Sequence, residues 1–323
     1  MKFFAVSEAL PAEKWRNRFT ETWPRYRDWY LSEGVGSRPT VEEARIAIAA
    51  HMPELLPLYD RVCRLVSSDE IAQRALSLFR TPPIISGCSV AIAPSSEPIL
   101  VRNYDFTPEF FEGTILHSQW LDHDVLATSE AWIGCLDGLN SKGLAVALTF
   151  GGRLAHGREG FQTPLLLRYA LETCSTITEA IKTLERLPAQ TVSNVVLLDR
   201  SGDYAVAFLS PDRPMVVRKR AVTTNHQLAL EWPEGNSWSE TAERADLLDR
   251  LRATTPDLAT FVSAFHQLPL YRTAYSEGLG TLYTVMIRPA SGVVEYSWPQ
   301  ENPWKHRIGN FLEGVRELPI KSF

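Results

Sequence analysis

Apolar residues recur along this chain with two different periods, and the change from one to the other divides it. Through residues 1 to about 80 the steps are of three and four. Trp15, Phe19, Trp23, Tyr26, Trp29 and Tyr30 form an aromatic stripe down one predicted helix, read as core and not as a ligand platform. Thr40 with Glu43 reads as a capping box, and Ser67-Ser68-Asp69-Glu70 repeats the signal ahead of residues 71–79. Thr81-Pro82-Pro83 ends the helical part, because proline cannot continue a helix and pushes its predecessor out of the α region. Beyond it the period falls to two. Residues 85–93 and 99–105 are β-rich runs separated by Pro94-Ser95-Ser96-Glu97-Pro98, a turn sequence that stops a ladder, so they predict an antiparallel hairpin.

The β pattern continues to Phe150. Residues 114–120 and 125–128 flank the turn Asp122-His123-Asp124, and a loop at 137–143 leads into 144–150, apolar enough to be covered on both faces. Thr163-Pro164 and a capping box at Thr176 and Glu179 open two helices. Strands return at 194–199, 204–208, 216–217 and 221–223, and helical signals at 239–244 and at Pro256-Asp257-Leu258. A last hairpin joins 281–287 to 293–298. Gly143, Gly151, Gly152 and Gly157 permit turns and tight backbone paths. Stacked antiparallel sheets with helices on both sides are the predicted layering.

Composition narrows the partners. At 323 residues and 45% hydrophobic, the chain can bury a large core, as one domain or one domain with an appendage. A net charge of −5 argues against non-specific nucleic-acid binding, and no run of like charge suggests a membrane surface. No apolar run reaches membrane-spanning length, and the N-terminal run meets acids too early for a signal peptide. The expectation is a soluble cytoplasmic protein with a small-molecule partner, homo-oligomerisation being left open. The four cysteines include no CxxC pair and no histidine at zinc-finger spacing, so neither a metal site nor a cofactor is expected. Cys63 and Cys174 sit in helical patterns as small apolar packers; Cys135 is unassigned.

Cys88 differs by its company. If 85–93 and 99–105 pair as a hairpin, the second strand's end returns beside the first strand's start, bringing Arg102 and Asp105 close to Cys88. A cation beside a thiol favours the reactive thiolate, and a carboxylate can hold an amine or order the guanidinium. The seven histidines are scattered, and no GxSxG, phosphate loop or HExxH occurs. A thiol without histidine can use its own α-amino group as base, which requires the cysteine to be the first residue. Cleavage of Gly87-Cys88 would supply that amine, and a preceding glycine leaves the carbonyl unhindered.

Gly87-Cys88-Ser89, Arg102-Asn103-Tyr104-Asp105, residues 137–146, Ser193-Asn194 leading to 199–203, and Thr224-Asn225-His226 together resemble the N-terminal nucleophile hydrolases. The similarity is to the acyl-coenzyme A:6-aminopenicillanic acid acyltransferase group, the C45 peptidases, and more distantly to choloylglycine hydrolase and penicillin V acylase. It implies an α+β, four-layer αββα sandwich, with residues 1–87 a helical pro-segment and 88–323 the catalytic domain. It also implies self-cleavage at Gly87-Cys88. Cys88 would be nucleophile and base, Asp105 would hold the new amine, Arg102 would stabilise the thiolate or bind substrate, and Asn194 would donate to the oxyanion. Thr149 stands where choloylglycine hydrolases carry a second asparagine. Asn140, His226 and Arg244 are substrate-binding or supporting positions, with Arg272 the second choice for the family's later arginine. The implied activity is cleavage of a linear amide or thioester through an acyl-enzyme, by hydrolysis or transfer. The alternatives are a conventional Cys-His hydrolase with His226 or His117 as base, and a noncatalytic binding protein on the same fold.

Overall fold

The computed structural model describes residues 1–155, 159–255 and 257–319; Gly157 and Pro256 lie outside them. In chain order the strands are β1 (Lys2–Ser7), β2 (Gly87–Ile92), β3 (Leu100–Phe106), β4 (Thr114–Ser118), β5 (Val125–Glu130), β6 (Gly134–Asn140), β7 (Leu144–Phe150) and β8 (Ser193–Asp199). They continue with β9 (Tyr204–Leu209), β10 (Val216–Arg218), β11 (Val222–Thr223), β12 (Thr273–Ala274), β13 (Leu279–Arg288), β14 (Val293–Ser297), β15 (Trp304–Arg307) and β16 (Gly314–Glu317). The helices are α1 (Glu13–Tyr30), α2 (Val41–His51), α3 (Leu56–Leu65), α4 (Glu70–Ala75), α5 (Thr163–Thr173), α6 (Ile177–Arg186), α7 (Pro233–Ser239), α8 (Thr241–Thr254) and α9 (Leu258–Ala264).

Two sheets result. Among the described residues one has nine strands in the order β10-β9-β8-β7-β6-β5-β4-β1-β16, and the other has seven, β11-β2-β3-β13-β14-β15 with β12 beside β13. Three apolar cores separate four layers. One packs α1 to α6 on the nine-stranded sheet, with Trp23, Tyr59, Leu166 and Leu184 in it. A second, holding Cys88, Val90, Leu126, Val196 and Tyr296, fills the space between the sheets. The third packs Leu248 of α8 and Phe261 of α9 against Ala91 and Val101. Alternation sends successive side chains of each inner strand to different cores, which is why both faces of both sheets are apolar. This is the α+β, αββα layering that the sequence pattern predicts.

The predicted capping boxes at Thr40/Glu43 and Thr176/Glu179 are both formed. Helix α4 is capped instead by Asp69, whose carboxylate accepts from Ala72 N.

The N-terminal part is not wholly helical. β1 runs parallel to β4, with Ala5 opposite Ile115, and antiparallel to β16. Phe3 is fully buried between the sheets against Phe111, Tyr283 and Trp298. Residues 1–87 therefore supply a strand and four helices to the same body as the rest. No helix among the described residues is long and apolar enough to cross a membrane.

Candidate active site

The hairpin forms as β2 against β3, with Gly87 opposite Asp105, Cys88 opposite Tyr104 and Val90 opposite Arg102. Directly opposed residues share a face, so Cys88 and Arg102 point into the space between the sheets while Gly87 and Asp105 share the other face. Arg102 Nη2 lies 3.3 Å from Cys88 Sγ. The guanidinium is itself tied down: it pairs with Asp137, donates to Tyr283 Oη at 2.9 Å, and reaches the Leu148 carbonyl at 3.1 Å. Asp137 accepts further bonds from Thr128 and Tyr283, both at 2.7 Å.

Sequence reasoning expects this arginine to make a thiolate. The structure corrects that: Cys88 is fully buried, and burial pushes its thiol up, with Arg102 opposing too weakly to reverse the shift. An arginine already neutralised by Asp137 cannot offset complete desolvation.

The backbone around Cys88 is held more tightly than its sulfur. β11 pairs with β2, Thr223 opposite Val90, and the chain continues so that Asn225 passes Cys88. Asn225 Oδ1 accepts from Cys88 N at 3.0 Å, and its Nδ2 donates to the Ser86 carbonyl at 3.2 Å. One side chain thus grips the strand on both sides of Gly87. Arg244, in the first turn of α8, donates to the Cys88 carbonyl at 2.7 Å, to Ser89 Oγ at 2.8 Å and to Asn225 Oδ1 at 2.7 Å.

Asp105 completes the cluster from the other face. A Cβ on Gly87 would stand 2.9 Å from Asp105 Cβ and 3.0 Å from its Oδ2, so only glycine fits opposite this carboxylate. Oδ1 accepts from Thr281 at 2.6 Å, but Oδ2 is buried without a hydrogen-bond partner, the nearest cation being Arg244 Nη1 at 3.8 Å. Burial raises the Asp105 carboxyl; Arg244, Thr281, Arg272 and Arg102 all pull the other way. The Gly87-Cys88 junction thus lies beside a buried carboxylate oxygen whose cation, Arg244, is beyond hydrogen-bond distance.

The other expected residues divide. Asn194 and Thr149 are cross-strand neighbours on β8 and β7, but the Asn194 amide group is engaged with the carbonyls of Thr224 and His226 at 3.1 and 3.0 Å and with Thr149 Oγ1 at 2.9 Å. Thr149 donates to Thr224 O at 2.8 Å. Both anchor the loop that carries Asn225; neither hydrogen-bonds Cys88, and the Asn194 donors expected for an oxyanion are occupied. Gly152, at φ +83°, makes room for this loop, since the Asn225 carbonyl lies where its side chain would be. Asn140 holds the end of α5 through the Leu171 and Cys174 carbonyls, and supports no part of this cluster. His226 Nδ1 bonds Thr241 Oγ1 at 3.0 Å, and His117 Nδ1 bonds Ser7 Oγ at 3.1 Å beside Phe311. Neither hydrogen-bonds Cys88, so the Cys-His alternative has no geometric support. Arg272 binds the carbonyls of Trp238 and Ser239, leaving Arg244 as the arginine on the Cys88 carbonyl.

Asn225 and Asp137 enter the sequence reading only within the motifs that carry the resemblance, and Tyr283 and Thr281 only within a predicted strand, none of them with a role in the site. Asn225 reads as a loop residue satisfying backbone, and Asp137 as part of a turn. The β2-β11 pairing brings Asn225 to Cys88, the β3-β13 pairing brings Tyr283 to Arg102 and Thr281 to Asp105, and Asp137 reaches Arg102 from β6 across the space between the sheets. Among the described residues no group of three or more His, Cys, Asp or Glu could hold a metal ion.

Two cavities lie near the hairpin. One of about 500 Å³ is walled by Tyr26, Trp29, Phe106, Phe110, Trp238 and Leu279 among others, and a small one of about 40 Å³ by Ser86, Tyr104 and Leu148 among others. Ile84 and Glu130 line both.

Comparison with known proteins bears on the family and the fold. A family model described as acyl-coenzyme A:6-aminopenicillanic acid acyl-transferase matches residues 92–303, which include Arg102, Asp105, Asn225 and Arg244. A mutant of conjugated bile acid hydrolase from Clostridium perfringens superposes with a TM-score of 0.50 at 14% identity, over 72% of this chain and 97% of that one, and so shares the fold. Penicillin V acylase from Agrobacterium tumefaciens (TM-score 0.47, 14% identity, 69% of this chain and 86% of that one) is also similar. So is the Caenorhabditis elegans ortholog of N-acylethanolamine-hydrolyzing acid amidase (0.48, 16%, 72% and 100%). No curated protein matches the chain.

Proposed function

We propose, from the premise that the chain belongs to the acyl-coenzyme A:6-aminopenicillanic acid acyl-transferase family, that it is a self-processing cysteine amidase or acyltransferase acting on a linear amide or thioester. The observation that carries this reading is the unpartnered Asp105 Oδ2 packed against Gly87. A buried carboxylate oxygen with no donor costs free energy unless a donor arrives, and scission of Gly87-Cys88 would create one there.

Cys88 Sγ attacks the Gly87 carbonyl carbon, the C–N bond breaks, and the sulfur's proton passes to the departing nitrogen. Water then hydrolyses the resulting thioester, leaving a carboxylate on Gly87 and a free α-amine on Cys88. Asn225 Oδ1, already on the Cys88 N–H, and Asp105 Oδ2 receive that amine. Its ordinary pKa, near 8, suits a base at neutral pH. In turnover the amine takes the thiol proton, Sγ attacks the substrate carbonyl, and the amine returns the proton to the leaving group. Water or an acceptor amine then takes the acyl group from Cys88. Arg102 faces the sulfur and stabilises negative charge there, while Arg244 fixes the Cys88 carbonyl. No metal or organic cofactor enters these steps. The aromatic walls of the 500 Å³ cavity suit an apolar acyl group.

Intact mass under denaturing conditions tests the reading. Wild type should give two fragments divided between residues 87 and 88, and should release amine from a panel of acyl amides with transient acylation of Cys88. Cys88→Ala should stay whole and inert. A wild-type chain that stays intact on prolonged incubation and never acylates Cys88 would sink the proposal.

A further inference from the structure

Two residues of β13 reach the hairpin from opposite faces of its sheet. Tyr283 stands opposite Tyr104 on the face between the sheets, where its hydroxyl bonds Asp137 and Arg102. Thr281 stands opposite Asp105 on the other face and donates to its carboxylate. On a regular strand, residues two apart share a face. Here the register with β3 shifts by one residue between Thr281 and Tyr283, so Leu282 is the extra residue of a bulge. Leu282 is fully buried in the core between the sheets, as Tyr283 is, and its carbonyl accepts from Trp298 Nε1 at 2.8 Å. Without the bulge Thr281 would turn to the face of Tyr283, away from Asp105.

Thr281 is fully buried and bonded at every polar atom. Its N–H donates to the Arg272 carbonyl at 2.8 Å, and its carbonyl accepts from Tyr275 Oη at 2.9 Å. A Cβ on Gly280 would run into the Tyr275 ring, so glycine lets that ring close over the strand. Thr281 Oγ1 accepts from the Arg272 N–H at 2.8 Å. That contact uses the proton of Arg272, which leaves the hydroxyl's single proton for Asp105 Oδ1 at 2.6 Å.

One oxygen of Asp105 is therefore engaged, and the other, Oδ2, stands beside Gly87 with no hydrogen-bond partner. The terminal torsion of an aspartate is soft, so an unfastened carboxylate could turn toward Arg244, whose Nη1 is 3.8 Å away. We propose that Thr281 is a positioning residue for self-processing: by holding Oδ1 it fixes the Asp105 carboxylate with Oδ2 facing the Gly87-Cys88 junction, ready for the amine that scission releases. This rests on the self-processing reading of Cys88 and deepens it. Thr281 acts through Asp105 and touches no reacting atom.

The test follows fragment formation by intact mass during cell-free synthesis, which sets a common zero of time, with a melting curve for each variant. Thr281→Val keeps the shape and loses the donor; it should slow processing about tenfold. Thr281→Ser keeps the hydroxyl and loses the methyl; it should restore most of the rate. Thr281→Ala loses both; it should be as slow as Thr281→Val, and it replaces that variant if the valine chain does not fold. A role in packing alone would rank the three by the methyl and not by the hydroxyl. In an Asp105→Asn background, Thr281→Val should cost less than a further twofold, because the group it acts through has changed. Wild-type processing in Thr281→Val, a Thr281→Ser chain as slow as Thr281→Ala, or a full tenfold loss added to Asp105→Asn overturns the role of Thr281 and leaves the self-processing reading standing. A wild-type chain that is never cut overturns both.

Discussion

The chain contains two Gly-Cys pairs on buried strands, and the polar groups around them differ. Gly87-Cys88 opens β2; Gly134-Cys135 opens β6. Both thiols are fully buried, and burial raises both, Cys135 to about 12, opposed by Arg102 at Cys88 and by Arg168 and, less, Arg102 at Cys135. Both glycines are sterically required, but for different reasons. At Gly134 a Cβ would strike Pro164 at the start of α5, which is ordinary packing of helix on sheet. At Gly87 it would strike a carboxylate with a free oxygen. Around Cys88 the polar groups engage the peptide chain: Asn225 on its N–H and Arg244 on its carbonyl. Thiol acidity does not distinguish the sites; the environment of the preceding bond does.

The largest expected effect that would break this comparison comes from Asp105→Asn. The change is isosteric and removes the charge that would hold the new amine, so processing and turnover should each fall about a hundredfold or more. Stability should not fall with them. The fold raises the Asp105 carboxyl, chiefly by burial, so its charged form weakens the folded state at neutral pH and a neutral amide relieves that cost. Fragment formation by mass spectrometry, beside a melting curve, checks both. Normal processing in a variant of unchanged or raised Tm would show that the free oxygen is incidental.

Next in size are the two glycines. Gly87→Ala and Gly134→Ala should each destabilise by about 1–3 kcal/mol, since the added methyl meets atoms closer than 3.0 Å in both places. Only Gly87→Ala should also slow processing, by about tenfold, because the methyl displaces Asp105 from the junction. Equal processing rates in two variants of equal stability would remove the distinction.

How far the sequence discloses this depends on range. The β2-β3 hairpin is local: alternation, a turn rich in proline and serine, and short loop closure bring Arg102 and Asp105 to Cys88, and the pairing forms as the pattern predicts. The capping boxes at Thr40 and Thr176 are local too. What stays hidden is contributed from afar. Arg244 reaches a carbonyl 156 residues away, and Asn225 an N–H 137 residues away. Their neighbourhood depends on β11 joining the edge of β2, which a two-residue strand does not announce. β1 escapes for the same reason, because its partners are residues 114–117 and 314–317. The predicted thiolate at Cys88 misleads because a sequence shows the arginine but neither the burial nor the competing Asp137.

The smallest effect concerns the acid that accompanies the second pair. Glu172 lies near Cys135 as Asp105 lies near Cys88, fully buried and 3.5 Å from Arg168. Burial raises its carboxyl from the ordinary 4.5 to about 6, against the pull of Arg168. Between those two values the folded state binds a proton that the unfolded chain does not, so this group strengthens the fold as pH falls from above 6 to 4.5, and adds nothing further below. The interval corresponds to roughly 2 kcal/mol. Glu172→Gln should therefore remove about that much from the pH dependence of stability over this window, measured as the difference from wild type in urea midpoints at each pH. Subtraction matters, because Glu112, raised to about 7, contributes in the same direction to both chains. Processing at Gly87-Cys88 should keep its wild-type rate, since the Glu172 carboxylate is bonded to the Leu121 N–H and paired with Arg168 on the helical side of the nine-stranded sheet. If Glu172→Gln slowed processing as Asp105→Asn does, the two acids would be doing one job and the contrast between the two Gly-Cys pairs would fail.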